Sequence, residues 1–312
     1  MEPTRRSCLR ALALAPVLLS PALRVGARAW PLASALAAGA AFAQANPPAP
    51  EKQPLNAGPY VPSPDTVVSR MLDMAEVRAD DVVVDMGSGD GRIVLTAAKL
   101  RGARGLGIEI DEKLVALSIE AARREGVADR ARFVRQDLFA TDVSEATVVT
   151  LYLLPDTVNL LREKLRRELR PGSRVIVHDY PLAGWLPETW QRLDEPEKKN
   201  ATGVPSATVY LYRIPASVNG RWQASVPPEL TRQRVALQLR QQWQMLDGMA
   251  SVGGQEVPLE NVTLRGEQVV FSLRVERGRI AAFTGRAQGD AIEGTVSVDG
   301  GAARPWRATR AA

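Results

Sequence analysis

The sequence predicts an α/β fold in which helices cover both faces of a parallel sheet, followed by a small all-β C-terminal domain. Three observations carry this. Short, wholly apolar segments alternate with amphipathic helical stretches through residues 64–214. A glycine-rich turn joins the first apolar segment to its helix. After Ala216 the helical period vanishes, and short alternating runs separated by glycine turns replace it. Strands buried on both faces mark a parallel sheet with crossover helices, whereas alternation and tight turns mark antiparallel pairing.

At 312 residues, 45% hydrophobic and 24% charged, the chain has the composition of an ordinary globular protein with room for two domains. Its basic balance is local: Arg5, Arg6, Arg10, Arg24 and Arg28 against Glu2 supply +4 of the net +5 within residues 1–45. The remainder is close to neutral, so charge gives no case for a nucleic-acid partner. Cys8 is the only cysteine and His178 the only histidine. The body therefore has no disulfide and no thiolate- or histidine-built zinc site, and no Asp/Glu cluster has ligand-like spacing. No metal is expected.

Residues 1–45 read as a leader. Thr4-Arg5-Arg6-Ser7-Cys8-Leu9-Arg10 precedes the apolar stretch Ala11 to Leu19, which is too short to span a bilayer as a helix. Ala41-Phe42-Ala43 and Ala43-Gln44-Ala45 offer small-x-small cleavage sites. Arg5-Arg6 followed by Leu9 and Arg10 resembles a twin-arginine export signal, the kind that routes folded proteins across a membrane. That reading places the protein outside the cytosol, in the periplasm. The competing reading, an uncleaved membrane anchor, draws on Arg24, Arg28 and the length of the leader.

The proline-rich residues 46–59 read as a linker, and 60–216 as the α/β domain. Val67, Val68, Met71, Leu72 and Met74 recur at helical spacing from Pro64 to Val77, with Ser63 or Asp65 as cap. Strand Asp81–Met86, helix Arg92–Leu100, strand Gly105–Ile110, helix Lys113–Glu125 and strand Ala131–Arg135 follow in strict alternation. The apolar run Ala146–Leu154, the charged amphipathic helix Thr157–Leu169 and strand Arg174–Val177, opened by Pro171-Gly172, continue it, and Thr208–Ile214 is the last strand.

Residues 218–312 read as an antiparallel barrel or sandwich with strands in meander order. Its strands are Gly220-Arg221-Trp222, Val235–Leu239, Val269–Val275, Arg279–Phe283, Ile292–Val298 and one near Trp306-Arg307. Turns fall at Gly253-Gly254, Gly266, Gly278, Gly289-Asp290 and Asp299-Gly300-Gly301. The Gly-x-Trp at 220–222 weakly resembles calycin barrels, in which that tryptophan plugs one end; ordinary core packing is the stronger reading, and no ligand is inferred.

The chemistry concentrates at Asp85-Met86-Gly87-Ser88-Gly89-Asp90-Gly91, which follows a buried strand and opens a helix. Glycines let the backbone approach a ligand and take positive φ, and the helix N-terminus offers free N–H donors. The spacing is G-x-G-x-G, with Arg92 where the dinucleotide fingerprint requires its third glycine. Carboxylates beside the loop would repel a pyrophosphate but suit the sulfonium and α-ammonium of S-adenosylmethionine. Glu109 ends the second strand, where a carboxylate can accept both ribose hydroxyls, and Asp137 ends the next, within reach of an adenine amine. The three acids stand 24 and 28 positions apart at successive strand ends, a pattern far more specific than one glycine loop.

These motifs resemble those of class I methyltransferases. Tyr60-Val61-Pro62, Gly89-Asp90-Gly91-Arg92-Ile93, Gly107-Ile108-Glu109-Ile110-Asp111 and Thr150-Leu151-Tyr152-Leu153-Leu154-Pro155 are similar to a family of seven-strand protein-lysine methyltransferases. Its animal members act on the c-ring protein of the mitochondrial ATP synthase and on the adenine nucleotide translocase. The resemblance covers residues 59–214. It implies a Rossmann-like class I methyltransferase sheet and S-adenosylmethionine as cofactor, held by Asp85, Gly87, Gly89, Asp90, Glu109 and Asp137. Ser88, Gly91 and Leu138 complete the expected cofactor set, while Tyr60 and Tyr152 line the acceptor side as candidate catalytic residues. The leader and the β domain depart from that family.

Methyl transfer needs in-line approach of a neutral nucleophile, so positioning and desolvation carry the catalysis. Tyr152-Leu153-Leu154-Pro155 stands where amino-group methyltransferases orient the acceptor, and it lacks the Asn/Asp-Pro-Pro-Tyr run used for DNA bases. Tyr152 reads equally as a half-buried strand residue, and His178, in His178-Asp179-Tyr180, as a base or as a hydrogen-bonded structural residue. The expected partner is a protein substrate presenting a lysine, with membrane proximity open. The competing function is a non-enzymatic exported binding protein that keeps the fold as scaffold.

Overall fold

The computed structural model describes residues 60–275 and 278–311. The leader and the linker lie outside the described residues. Among the described residues no helix is long and apolar enough to cross a membrane.

The first half builds α1 (Asp65–Met74), β1 (Val82–Met86), α2 (Arg92–Arg101), β2 (Arg104–Glu109), α3 (Glu112–Arg124), β3 (Ala131–Arg135) and β4 (Val148–Leu151). It continues through α4 (Pro155–Glu168), β5 (Arg174–His178), β6 (Thr189–Asp194), the one-turn α5 (Lys199–Thr202) and β7 (Ser206–Arg213). They form one seven-stranded sheet in the order β3-β2-β1-β4-β5-β7-β6. The first five strands run parallel; β7 pairs antiparallel with both β5 and β6. The sheet is therefore mixed, not wholly parallel as expected. β6 (Thr-Trp-Gln-Arg-Leu-Asp) is an exposed edge strand with charged residues and no apolar run, which is why periodicity passes over it.

Alternation along each strand divides the core in two. On one face Val83, Val148 and Ile176 meet Val67, Val68, Met71 and Leu72 of α1 together with α2. On the other, Val84, Val149, Leu151, Val175 and Val177 meet Val158, Leu161 and Leu165 of α4. Each fully buried aliphatic side chain here contributes about 1.5–3 kcal/mol of apolar burial. α3 is capped by Asp111, whose carboxylate accepts the N–H groups of Lys113 and Leu114. Neither Ser63 nor Asp65 caps α1: the N-cap residue is Pro64, without a side-chain bond, because the Ser63 hydroxyl is engaged by His178.

The second half is β8 (Gly220–Ser225), β9 (Val235–Gln242), β10 (Met245–Val252), β11 (Gln255–Pro258), β12 (Glu260–Arg265), β13 (Gln268–Arg274), β14 (Ile280–Gln288), β15 (Ala291–Val298) and β16 (Arg304–Arg310). All pairs are antiparallel, in the order β11-β10-β9-β8-β16-β15-β14-β13-β12. Every neighbour is consecutive in the chain except β16 on β8, so this is a meander barrel closed by its first and last strands and open between β11 and β12. Strands β10 to β12 leave little trace in the sequence because their burial is partial, and β11 and β12 hold few apolar residues. Phe271, Phe283 and Trp306 pack at the centre of the interior. Trp222 is fully buried, donates Nε1–H to the Val218 carbonyl at 2.8 Å, and lies under the Arg310 guanidinium at 4.4 Å.

The two sheets abut. Trp243, in the β9–β10 turn, stacks on Trp185 with centroids 4.8 Å apart, and Arg162 sits 5.4 Å from its ring. Glu188, just before β6, takes Arg213 at 2.8 Å and Arg265 of β12. Ala216 already packs in the barrel core, and its N–H donates to the Gly266 carbonyl at 2.8 Å.

Candidate functional site

The strand order reverses between β1 and β4, the place where open α/β sheets leave a crevice at the carboxyl ends of their strands. A cleft of about 470 Å³ lies there, a volume suited to a small ligand. Asp85, Gly87, Ser88, Gly89, Asp90, Glu109, Asp137 and Leu138 all line it, and so do Tyr60 and Tyr152. Gly91 does not. It is the N-cap of α2 at φ +81°, turned inward, and a Cβ there would sit 2.6 Å from the Phe133 ring.

The loop after β1 is built by its own backbone. The N–H groups of Gly87 and Ser88 both donate to the Ile108 carbonyl at 2.9 Å, which ties the loop to β2. Gly89, at φ +53°, has the Tyr60 ring against it: a Cβ would come within 2.5 Å of that ring. Any other residue would be strained by conformation and by contact. The Ser88 hydroxyl is buried with no partner among the described residues, a polar atom left for whatever fills the cleft.

The acids differ sharply in their surroundings. Asp85 is buried and accepts the Thr150 hydroxyl at 2.6 Å. Burial pushes its carboxyl up to about 7; the charges of Glu109 and Asp90 add to this, and Thr150 opposes it. Glu109 accepts the N–H groups of Gly89 (2.9 Å), Ile110 (2.8 Å) and Asp111 (3.1 Å). Its orientation is thereby fixed, with two backbone donors on Oε1 and one on Oε2, so Oε2 is the freer oxygen toward the cleft. Asp137, exposed after β3, uses one oxygen on the Phe139 N–H at 2.8 Å.

Asp90 departs most from its expected part. Arg92 grips it through Nε at 3.0 and 3.1 Å and Nη2 at 2.7 Å, and also donates Nη1–H to the Ser63 carbonyl at 2.8 Å. Burial works against the charged carboxylate, but these bonds hold Asp90 below its ordinary range. Tyr60 is pushed up to about 12 by burial and by the neighbouring Asp90. Asp90 and Arg92 thus pin the segment Tyr60–Ser63 over the loop.

Opposite stands Tyr152, directly after β4, stacked on His178 with centroids 3.8 Å apart. Burial raises its hydroxyl above the usual tyrosine range. His178 is fully buried beneath it and does not line the cleft. Burial, reinforced by Lys198 and opposed by Asp179, pushes its imidazole down to about 4. The ring is neutral at physiological pH, a buried hydrogen-bonded residue and not a direct base on a substrate. Ser63, Arg92, Leu114, Gln136 and Phe139 also line the cleft and lie outside the expected set. Phe139 follows Asp137 by two positions, a signal the sequence does carry; Ser63 has no local signal beyond preceding a helix.

Such a cleft offers an acidic side for a cationic ligand, a carboxylate on fixed backbone donors for a diol, and an aromatic side for an amine. Residues 85–189 match a family model described as the ANTKMT methyltransferase domain. A protein-lysine N-methyltransferase of Saccharolobus islandicus is 41% identical over 157 residues, covering 50% of this chain and 93% of that protein. The adenine nucleotide translocase lysine N-methyltransferase of Mus musculus is 35% identical over 129 residues, 41% of this chain and 56% of that protein. A solved structure described as an RNA methyltransferase from Salinibacter ruber in complex with S-adenosyl-L-homocysteine is 46% identical, covers 51% of this chain and 96% of that one, and has a TM-score of 0.47.

Proposed function

The chain belongs to the protein-lysine N-methyltransferase family, and on that footing we propose that it methylates the ε-amine of a lysine on a protein. It is an S-adenosylmethionine-dependent methyltransferase. The observation that carries the lysine reading is the meeting of both halves of the expected site in one cleft: the acids and glycine loop on one side, Tyr60 and Tyr152 on the other. The cofactor, when bound, supplies a methyl group on a positively charged sulfur. Asp85 would then face its α-ammonium, Glu109 its ribose, and Asp137 with Leu138 its adenine.

A lysine amine is protonated at neutral pH and must give up a proton to solvent before it can attack; an apolar surround lowers its pKa and so favours the neutral nucleophile. Tyr152, Tyr60 and Leu153 supply the apolar walls for that. Transfer of radiolabelled methyl from S-adenosylmethionine into membrane and soluble fractions of the source cell, with mass spectrometry of labelled bands, tests the reading. Label on protein lysines supports it; label confined to nucleic acid or small molecules overturns it. Failure to bind S-adenosylhomocysteine would favour the scaffold alternative. The exported location expected from residues 1–45 is a separate proposal. A reporter fused to residues 1–50 should reach the periplasm, and Arg5→Lys with Arg6→Lys should stop it.

A further inference from the structure

The chain's one histidine is tied to the cleft by one hydrogen bond. His178 Nδ1 lies 2.9 Å from the Ser63 hydroxyl, and Ser63 lines the cleft between Tyr60 and the loop that Arg92 pins. Around the ring, Tyr152 stacks on one face and Asp179 places Oδ1 3.6 Å from Nε2. Behind Asp179 stands Lys198, 5% exposed, whose ammonium donates to Asp179 and to the Ser206 carbonyl at 2.8 Å. The Thr208 N–H donates to Asp179 at 3.0 Å. Asp179 is thus a carboxylate held by a buried ammonium and a backbone donor.

These contacts set the direction of the Ser63 bond. A neutral imidazole has one donor nitrogen and one acceptor nitrogen. Nε2 has no hydrogen-bond partner among the described residues and faces a carboxylate oxygen 3.6 Å away, so it carries the proton; a bare lone pair there would meet negative charge in a buried place. Nδ1 is then the acceptor, and the Ser63 hydroxyl must donate to it. A serine hydroxyl has one proton and two lone pairs. With the proton committed to His178, Ser63 presents only lone pairs to the cleft. Its backbone is held as well, by the Arg92 bond to its carbonyl.

We infer that Ser63, its hydroxyl direction fixed by His178 and Asp179, is the hydrogen-bond acceptor that seats the substrate's incoming amine. The inference rests on the amine-acceptor reading above. An attacking amine must keep its lone pair free for the methyl carbon while its N–H groups are anchored. A hydroxyl free to rotate could donate to that lone pair and block it. One that can only accept anchors an N–H and leaves the lone pair open. This explains a buried Ser63–His178 pair, set against Asp179, beside a cleft that the histidine itself does not line.

The probe is sinefungin, an analogue of S-adenosylmethionine that carries an amine where the transferable methyl group would be. Calorimetry on the full chain compares it with S-adenosylhomocysteine. The wild type should prefer sinefungin. Ser63→Ala should keep S-adenosylhomocysteine affinity within about twofold while cutting the preference at least about fivefold, the loss expected for a charge-assisted bond. Ser63→Thr, which keeps the hydroxyl, should restore it. His178→Phe keeps a ring under Tyr152 and should show a partial loss. With a single histidine in the chain, nitrogen NMR reads the tautomer directly, and Nε2–H is expected. An unchanged preference in folded Ser63→Ala, a parallel fall for both ligands, or an Nδ1–H tautomer overturns the inference. A wrong lysine reading would instead leave the sinefungin result intact while no label reached protein.

Discussion

Acidification should loosen the cleft's hold on S-adenosylhomocysteine through Asp85. This carboxyl is 2% exposed, with Thr150 as its bonded partner and Glu109 and Asp90 as like-charged neighbours. Burial first, and the two acids second, lift it to about 7 in the free protein. An α-ammonium placed against it favours the ionised form, so binding returns its pKa toward the ordinary carboxylate value of about 4. Because the free-state value is raised, the competent ionised form dominates above pH 7 and is lost as pH falls through it. The ionised fraction is about 0.9 at pH 8 and about 0.1 at pH 6, so Kd should rise about tenfold between them. At pH 7 binding should release about half a proton. Calorimetry at the three pH values, in buffers of differing ionisation enthalpy, measures both. Asp85→Asn should bind more weakly and show a flat profile with no proton release. A wild type with constant Kd and no proton release would refute the assignment of Asp85 to the ammonium.

Glu109→Ala frees three backbone N–H groups as well as removing a ribose acceptor. It should therefore weaken S-adenosylhomocysteine binding by at least about 1.5–3 kcal/mol by calorimetry, and unchanged affinity would sink the ribose assignment. Tyr152→Ala should leave cofactor affinity nearly intact but cut methyl transfer at least about tenfold, seen as a loss in kcat/KM. Gly89→Ala drives a Cβ into Tyr60 at φ +53°, so it should cost about 1–2 kcal/mol from backbone strain alone. The cost measured by denaturant unfolding should shrink in a Tyr60→Ala background, where additive effects would deny the contact. Residues 215–312 expressed alone should give a β-rich circular dichroism spectrum, because Ala216 and Val218 belong to the barrel core; a disordered spectrum would refute an independent barrel.

What the sequence made legible was whatever reports locally. The strands β1, β4 and β5, each a short apolar run ended by one or two polar residues or interrupted by one, and the helices α2 to α4 announce themselves by pattern, and β3 matches its predicted bounds, Ala131–Arg135. Asp85, Glu109 and Asp137 are legible because each ends a strand and the topology gathers strand ends at one edge. Reading β7 as parallel failed for a definite reason. Strand direction leaves no mark in a single apolar run; it depends on the connection, and here the intervening β6 turns the chain back. The short barrel strands fail differently. β11 and β12 sit at the open seam with few buried residues, so alternation has little to act on.

Side-chain pairing within the folded site is the part no local pattern carries. Asp90 looks like a ligand carboxylate when read beside Gly89, yet its charge is spent on Arg92, two residues on. Ser63 looks like a helix cap when read beside Pro64, yet it bonds a residue 115 positions away. In both cases the local role was chemically adequate, but another side chain of the folded site takes it up: the half-buried Arg92 for Asp90, the buried His178 for Ser63. A buried imidazole nitrogen left without a bond costs about 1–3 kcal/mol, against about 1 kcal/mol typically lost with an N-cap. Polar residues next to a ligand loop are therefore best assigned by the partner with the highest cost of going unsatisfied.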